Sequence, residues 1–214
     1  MCGRFLLMAA GRDLARRFGL LEEPDLKPRN NIAPTQMVAV IRAEPDTLER
    51  HLDMLKWGLI PFWAKDPSIG SRMINARAET VAEKPAFRAA FKHRRCIIPA
   101  DGFYEWTKEK GKKQPYLVAP ADGATFAMAG LWEHWKDKEG NVIESCTILT
   151  TEANEAVQKL HDRMPVILRP DDYDTWLNPG LGDPRILKPM LIAYPSDAMT
   201  LSRASPEINK PGPA

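Results

Sequence analysis

Prolines interrupt this chain almost everywhere. Nineteen of them are spread through 214 residues, about 9%, against a usual share of roughly 5%. Proline locks φ and carries no backbone N–H, so it breaks both helix interiors and central strands. A chain punctuated in this way can hold only short elements joined by turns. The apolar runs between breaks read as strands at 37–42, 51–59, 95–99, 102–107, 115–119, 125–132 and 144–151, with a last one at 187–194. Lys108 to Lys113, around Gly111, predicts a polar hairpin tip. The helices are short as well. Residues 12–20 place Leu14 and Phe18 four apart and end on Gly19; 84–94 put Phe87, Ala90 and Phe91 on one face. Two more are expected at 153–160 and from Asp171 to Leu177, the second behind Pro170. Segment 23–35 is turn-rich, and neither a repeat nor a linker divides the chain. The expectation is one α+β domain over 1–214, built of mostly antiparallel, barrel-like sheets with short flanking helices.

Composition excludes several classes. No apolar run reaches the ~18–20 residues of a membrane span, and no basic-then-apolar secretion signal opens the chain. A cytoplasmic protein is therefore expected. Three cysteines, Cys2, Cys96 and Cys146, without CxxC spacing argue against a zinc site or a disulfide framework. A phosphate-binding glycine loop and a metal-ligand cluster are both missing from the sequence, so no metal or cofactor is expected. Net charge is only +2. Its distribution is uneven, with Arg72, Arg77, Lys84, Arg88, Lys92, His93, Arg94 and Arg95 opposed by only Glu79 and Glu83. Such a stretch fits either a solvated basic face or a polyanion-binding one.

The chemistry begins at residue 2. Cys2 follows the initiator Met1, and trimming of Met1 makes it the N-terminal residue. It then carries a thiol and a free α-amine on adjacent carbons. The amine, with a pKa near 7.7–8.0 against about 10.4 for lysine, is roughly a tenth neutral at pH 7. Such an aminothiol can condense with an aldehyde to an imine and close on it as a thiazolidine; alternatively its thiolate can attack an acyl group with the amine as base. Three other polar sites punctuate the strands. Asn75 lies in Ile74–Thr80, Glu105 between Tyr104 and Trp106, and His161 where a helix gives way to a strand. A carboxylate among aromatics is raised toward acid–base range if buried, although a solvent-facing strand residue fits the pattern as well. His161 is equally readable as structural and Asn75 as a strand-end cap. Together they offer a nucleophile, a carboxylate, an imidazole and an orienting amide.

Six motifs in order carry a resemblance. They are Met1-Cys2-Gly3-Arg4-Phe5, Asn31 to Thr35, Trp57 to Pro61, Ile74 to Thr80, Asp101 to Trp106 and His161 to Pro165. In these the chain resembles the SRAP family, the SOS response-associated peptidase-like proteins, over about four-fifths of its length. The resemblance implies a sensor and shield of abasic sites in single-stranded DNA, working as a monomer without cofactor. Cys2 would form a thiazolidine with the ring-opened abasic sugar. Asn75 would position Cys2, Glu105 would assist proton transfers, and His161 would act as acid and base in opening the sugar and in reversal. Arg4, Arg77 and Arg163 would contact phosphates, and Phe62 and Trp63 would form an aromatic wedge beside a DNA-binding groove, as sequence-tolerant single-strand binding requires. Two departures stand out. Tyr194 to Met199 matches the family's closing strand loosely, and Phe62 stands where a second tryptophan is common.

Two other readings compete. A cysteine-type peptidase or N-terminal-nucleophile amidase would use Cys2 on an amide, its minimal form being removal of Met1. A non-catalytic DNA-binding module would use only the basic stretch and the aromatics.

Overall fold

The structure, a computed structural model, describes residues 2–210. In chain order its strands are β1 (Phe5–Leu7), β2 (Arg29–Ile32), β3 (Met37–Ala43), β4 (Arg50–Trp57), β5 (Asn75–Arg77) and β6 (Arg95–Ala100). They continue with β7 (Gly102–Glu109), β8 (Lys112–Pro120), β9 (Phe126–Lys136), β10 (Val142–Glu152), β11 (Arg163–Pro165) and β12 (Met199–Arg203). The short helices are α1 (Gly11–Phe18), α2 (Arg88–His93), α3 (Tyr173–Leu177) and α4 (Pro184–Leu187).

Five strands close on themselves. β10 pairs β4, β4 pairs β3, β3 pairs β6, β6 pairs β9, and β9 returns to β10. Every neighbour in this ring is antiparallel except β4 and β10. Closure removes the exposed edges that an open sheet must protect. It also explains why Val38, Ala39, Val40 and Ile41 are all buried in succession: one side of β3 faces the barrel interior, and the other is covered. A second, antiparallel sheet runs β12-β8-β7-β1-β2. The two sheets meet where the Phe5 ring packs edge-on against Trp57, centroids 5.1 Å apart.

Strand β10 sets the geometry of the site. Along one edge Ser145 and Cys146 pair with β4, and Ile148 to Thr150 then pair with β5. Along the other edge β9 gives way to β11 at Thr150 to Glu152. The rim of the barrel therefore holds β5 and β11 on either side of one strand. The loop between β4 and β5 is pinned close. Gly58 has φ +134°, and a Cβ there would stand 2.5 Å from the Gly70 carbonyl oxygen, so only glycine fits.

Several expectations are corrected. Residues 187–194 form no strand: Asp183 caps α4, Pro184 begins it, Pro189 lies in the helical turn Lys188–Met190, and the last strand among the described residues is β12. Proline inside that run removes the N–H a strand would need. The helix expected at 84–94 is only Arg88–His93, because Pro85 disfavours helical geometry at Lys84. The helix expected at 153–160 shrinks to one tight turn, Val157–Lys159, with the Asn154 side chain accepting from the Val157 N–H. Strand β2 forms within the segment read as turns. The basic stretch also divides. Arg95 is buried, and its guanidinium donates to the carbonyls of Phe91, Lys92, Trp176 and Asn178, which ties α2 and α3 to the barrel. Arg94 pairs with Glu133 at 2.9 Å.

Candidate functional site

Cys2 lies just before β1, which pairs with β7 at Phe5–Phe103 and Leu6–Gly102. That pairing brings the start of the chain alongside the strand carrying Glu105. Cys2 is fully buried. Burial pushes its thiol far up, the negative charge of Glu105 adds to the shift, and a hydrogen bond from the Arg4 backbone N–H opposes it. The sulfur is thus held as a thiol.

Asn75 opens β5 and reaches across to the N-terminal segment. Its Nδ2 donates to the Cys2 carbonyl at 2.8 Å, closing a contact between residues 73 apart in the chain. Its Oδ1 is buried and accepts no hydrogen bond among the described residues. A buried orphan acceptor costs on the order of 1–3 kcal/mol, so the position is poised for a donor. Arg77, two residues on and therefore on the same side of the strand, is exposed.

Glu105 is only 3% exposed. Burial raises its carboxyl, while its electrostatic interaction with His161 pulls it back. A raised carboxylate that senses both Cys2 and His161 is suited to carry protons between them. His161 is half-buried. Its amide donates to the Val157 carbonyl at 3.0 Å, so the single helical turn places it. Nδ1 accepts from the Arg163 N–H at 3.0 Å and lies 2.7 Å from an Asp162 carboxylate oxygen. One nitrogen cannot serve both partners. The neutral ring, protonated on Nε2, suits the Arg163 contact, whereas the imidazolium suits Asp162. The surroundings therefore accommodate both protonation states.

The three arginines differ. Arg77 is free of ion pairs among the described residues. Arg4 donates to Asn31 Oδ1 at 2.9 Å and to the Ile208 carbonyl at 2.7 Å, and its guanidinium lies 5.9 Å from the Trp106 ring. Arg163 is buried; it makes a bidentate pair with Glu79 at 2.7 and 2.9 Å and donates to the Thr150 carbonyl at 2.6 Å. These bonds hold Glu79 below the usual carboxylate range and stitch the loop after β5 to β10 and β11. In this structure Arg163 organises the rim from inside. A phosphate could reach it only by displacing Glu79.

Phe62 and Trp63 stand out from the surface, 57% and 48% exposed. Their loop is anchored by Trp135 Nε1 donating to the Ala64 carbonyl at 2.7 Å and by the Ile60 N–H donating to Ser145 Oγ at 2.8 Å. Two adjacent aromatic side chains are thus presented to solvent on an anchored loop. Sequence reasoning missed Glu79 as the partner of Arg163 and Asn31 as the partner of Arg4. Both lie inside motifs already singled out, but nothing in a linear sequence shows who faces whom. No group of histidine, cysteine and acidic side chains able to hold a metal occurs among the described residues, and no helix there is long and apolar enough to cross a membrane.

Comparison with known proteins places these features in context. A family model described as SOS response associated peptidase (SRAP) matches residues 1–211. The abasic site processing protein YoqW of Bacillus subtilis is 45% identical over 215 residues, covering 99% of this chain and 95% of that protein. The abasic site processing protein YedK of Escherichia coli is 34% identical, over 83% of this chain and 79% of its own. A crystal structure of a Bacteroides thetaiotaomicron protein superposes with a TM-score of 0.86 at 28% identity, covering 96% of this chain and 93% of the other.

Proposed function

The chain belongs to the SOS response-associated peptidase family, and on that premise we propose that it acts on abasic sites in single-stranded DNA, capturing them covalently through Cys2. The observation that carries this reading is the convergence on buried Cys2 of the half-buried Asn75 side chain and the buried Glu105 carboxylate. With Met1 attached, the Cys2 nitrogen is a peptide nitrogen and cannot condense with a carbonyl. Once Met1 is removed, the free amine attacks C1′ of the ring-opened sugar aldehyde and gives a carbinolamine. Loss of water leaves an imine. The thiol then adds across the C=N bond, sulfur to carbon and its proton to nitrogen, closing the five-membered ring. The sum is aldehyde plus aminothiol giving thiazolidine plus water.

Each residue has a place in that sequence. Burial keeps the sulfur protonated, so the amine opens the reaction and the thiol closes it. Glu105, raised by burial, delivers a proton to the departing hydroxyl, recovers one from the nitrogen as the imine forms, and relays the thiol proton to that nitrogen at ring closure. Asn75 fixes the Cys2 carbonyl, and its orphan Oδ1 accepts from the new amine or from a sugar hydroxyl. His161, with partners for both of its protonation states, opens the furanose and assists reversal. Arg4 and Arg77 hold flanking phosphates, and Trp63 and Phe62 stack on bases.

Intact-mass spectrometry of the untagged protein mixed with single-stranded DNA bearing one abasic site tests this directly. The expected product is the protein without Met1 plus the DNA, less one water, and none from Cys2→Ala. Acetylating the N-terminus removes the amine and leaves the thiol. An adduct that survived acetylation would exclude the thiazolidine, and a trimmed protein with no adduct would favour amide substrates.

A further inference from the structure

The hairpin that extends the Glu105 strand carries an unexplained charge. β7 and β8 are joined by Lys110 and Gly111, both in the left-handed region at φ +47° and +78°, the geometry of a tight two-residue turn. Lys108, Lys110, Lys112 and Lys113 crowd this tip. All four are exposed, and none makes an ion pair among the described residues. The acid within the hairpin does not neutralise them. Glu109 is occupied by Tyr116 Oη and by Arg203 Nη2, each at 2.7 Å. Moreover Lys108 stands directly opposite Lys113 in the ladder. Like charges at that spacing repel and weaken a hairpin. The fold gains nothing from them, and a bound anion would relieve the repulsion.

Their placement says which anion. Side chains alternate along a strand, so Lys108 shares a face with Trp106. The Trp106 ring lies beneath the Arg4 guanidinium, and Arg4 is two residues from Cys2. A line of cations and one aromatic therefore runs from the reactive end of the chain to the hairpin tip. Lys108 is three residues beyond Glu105, about 10 Å along the strand, and the turn about 17 Å. A stacked strand places a phosphate about every 3.4 Å of axis, so the tip reaches phosphates about three to five nucleotides from the site. Beside it, between the tip and the segment Pro206 to Asn209, runs a groove of about 650 Å³ lined by Lys110, Lys112, Lys113 and Arg203, with Glu109 as its carboxylate.

We propose that the β7–β8 hairpin tip is a phosphate-binding arm that grips the single strand on one flank of the abasic site. The arm deepens the DNA-capture reading and rests on it for its ligand. It makes recognition asymmetric, because the tip projects from one side of the site only.

Equilibrium binding of oligonucleotides that carry a tetrahydrofuran abasic analogue tests the arm without using Cys2, since this analogue has no aldehyde. The lesion is placed at the 5′ end, at the 3′ end or centrally. With all four lysines replaced by glutamine, affinity should fall about tenfold on oligonucleotides that extend along one flank. It should hold on those that extend only along the other. The salt slope on the sensitive flank should drop by about 1.4, two contacts at roughly 0.7 each. A second variant, Lys113→Glu, places opposite charges across the ladder. It should raise the melting temperature and still weaken binding on that same flank. Equal losses on both flanks would reduce the lysines to a diffuse field and overturn the arm, as would no loss at all. If capture of aldehyde DNA failed while the one-sided loss persisted, the arm would stand and the Cys2 chemistry would fall.

Discussion

Cys2 and Cys146 are both fully buried thiols in the same domain, and burial pushes both far up from the ordinary value. Their neighbourhoods share little else. Cys146 sits in β10 opposite Trp132, within the barrel wall, and Cys96 of β6 lies against Gly130, where a Cβ would come within 2.9 Å of its sulfur. Around these two no carboxylate raises the thiol, and the cysteines behave as small apolar side chains. Around Cys2 the second cause of the shift is a carboxylate, and an asparagine holds the backbone. Burial alone thus says nothing about reactivity. What separates the rim from the wall is which polar groups face the thiol: the buried Glu105 carboxylate and the half-buried Asn75 amide at Cys2.

The comparison breaks first at the thiol itself. Cys2→Ala should abolish covalent capture of abasic DNA completely, with binding to the tetrahydrofuran analogue retained; any residual adduct on a denaturing gel would place the nucleophile elsewhere. Next comes the carboxylate. Glu105→Gln should slow adduct formation about a hundredfold, the lower end of what general acid–base groups supply. It should also change how stability depends on pH. A carboxyl raised on folding binds more protons in the native than in the unfolded state. Its contribution to stability is full below the unfolded value near 4.3 and is lost as pH rises through the higher folded one. The Gln variant should lack that decline. Denaturant titrations from pH 4 to 8 check this, and an unchanged slope would show that Glu105 is not raised.

Much of this was legible before any coordinates. The positions of β3, β4 and β6 to β10, the hairpin tip and Gly19 as the end of α1 follow from local signals: alternation, turn residues and a left-handed cap at φ +64°; the short strands β1, β2, β5, β11 and β12 carry no such signal. The motifs holding Cys2, Asn75, Glu105 and His161 were visible as polar interruptions of apolar runs. Pairings between distant segments were not. The parallel contacts of β10 with β4 and β5, the closure of the barrel through β9, and the Glu79–Arg163 pair join residues with no shared local pattern. Basic character likewise misled at Arg95, which reads as surface charge and proves to be a buried cap on carbonyls. The strand expected at 187–194 failed for a local reason, since its proline outweighs the apolar run around it.

Two arginines sharpen the contrast between rim and surface. Arg163→Ala removes a charged donor from the Thr150 carbonyl and from Glu79. It should cost about 2 kcal/mol of stability, read as a lower denaturant midpoint. Arg77→Ala should leave the midpoint unchanged and instead reduce the salt slope of single-strand binding by about 0.7. The opposite pattern would mean that Arg163 leaves Glu79 for a phosphate and that the rim is assembled by the DNA.

The smallest effect belongs to the wall. Cys146→Ala removes one sulfur from a packed strand and should cost about 1 kcal/mol, with the rate of covalent capture unchanged. This variant is the control that gives the others meaning. β10 supplies both Cys146 and, four residues later, the Thr150 carbonyl that holds Arg163. If capture slowed with Cys146→Ala at unchanged DNA affinity, packing in the barrel would be setting the geometry of the rim. The two regions would then be one mechanical unit. If only stability moved, the barrel would serve as a passive frame, and the buried polar groups at its edge would be the part of the fold that the chemistry requires.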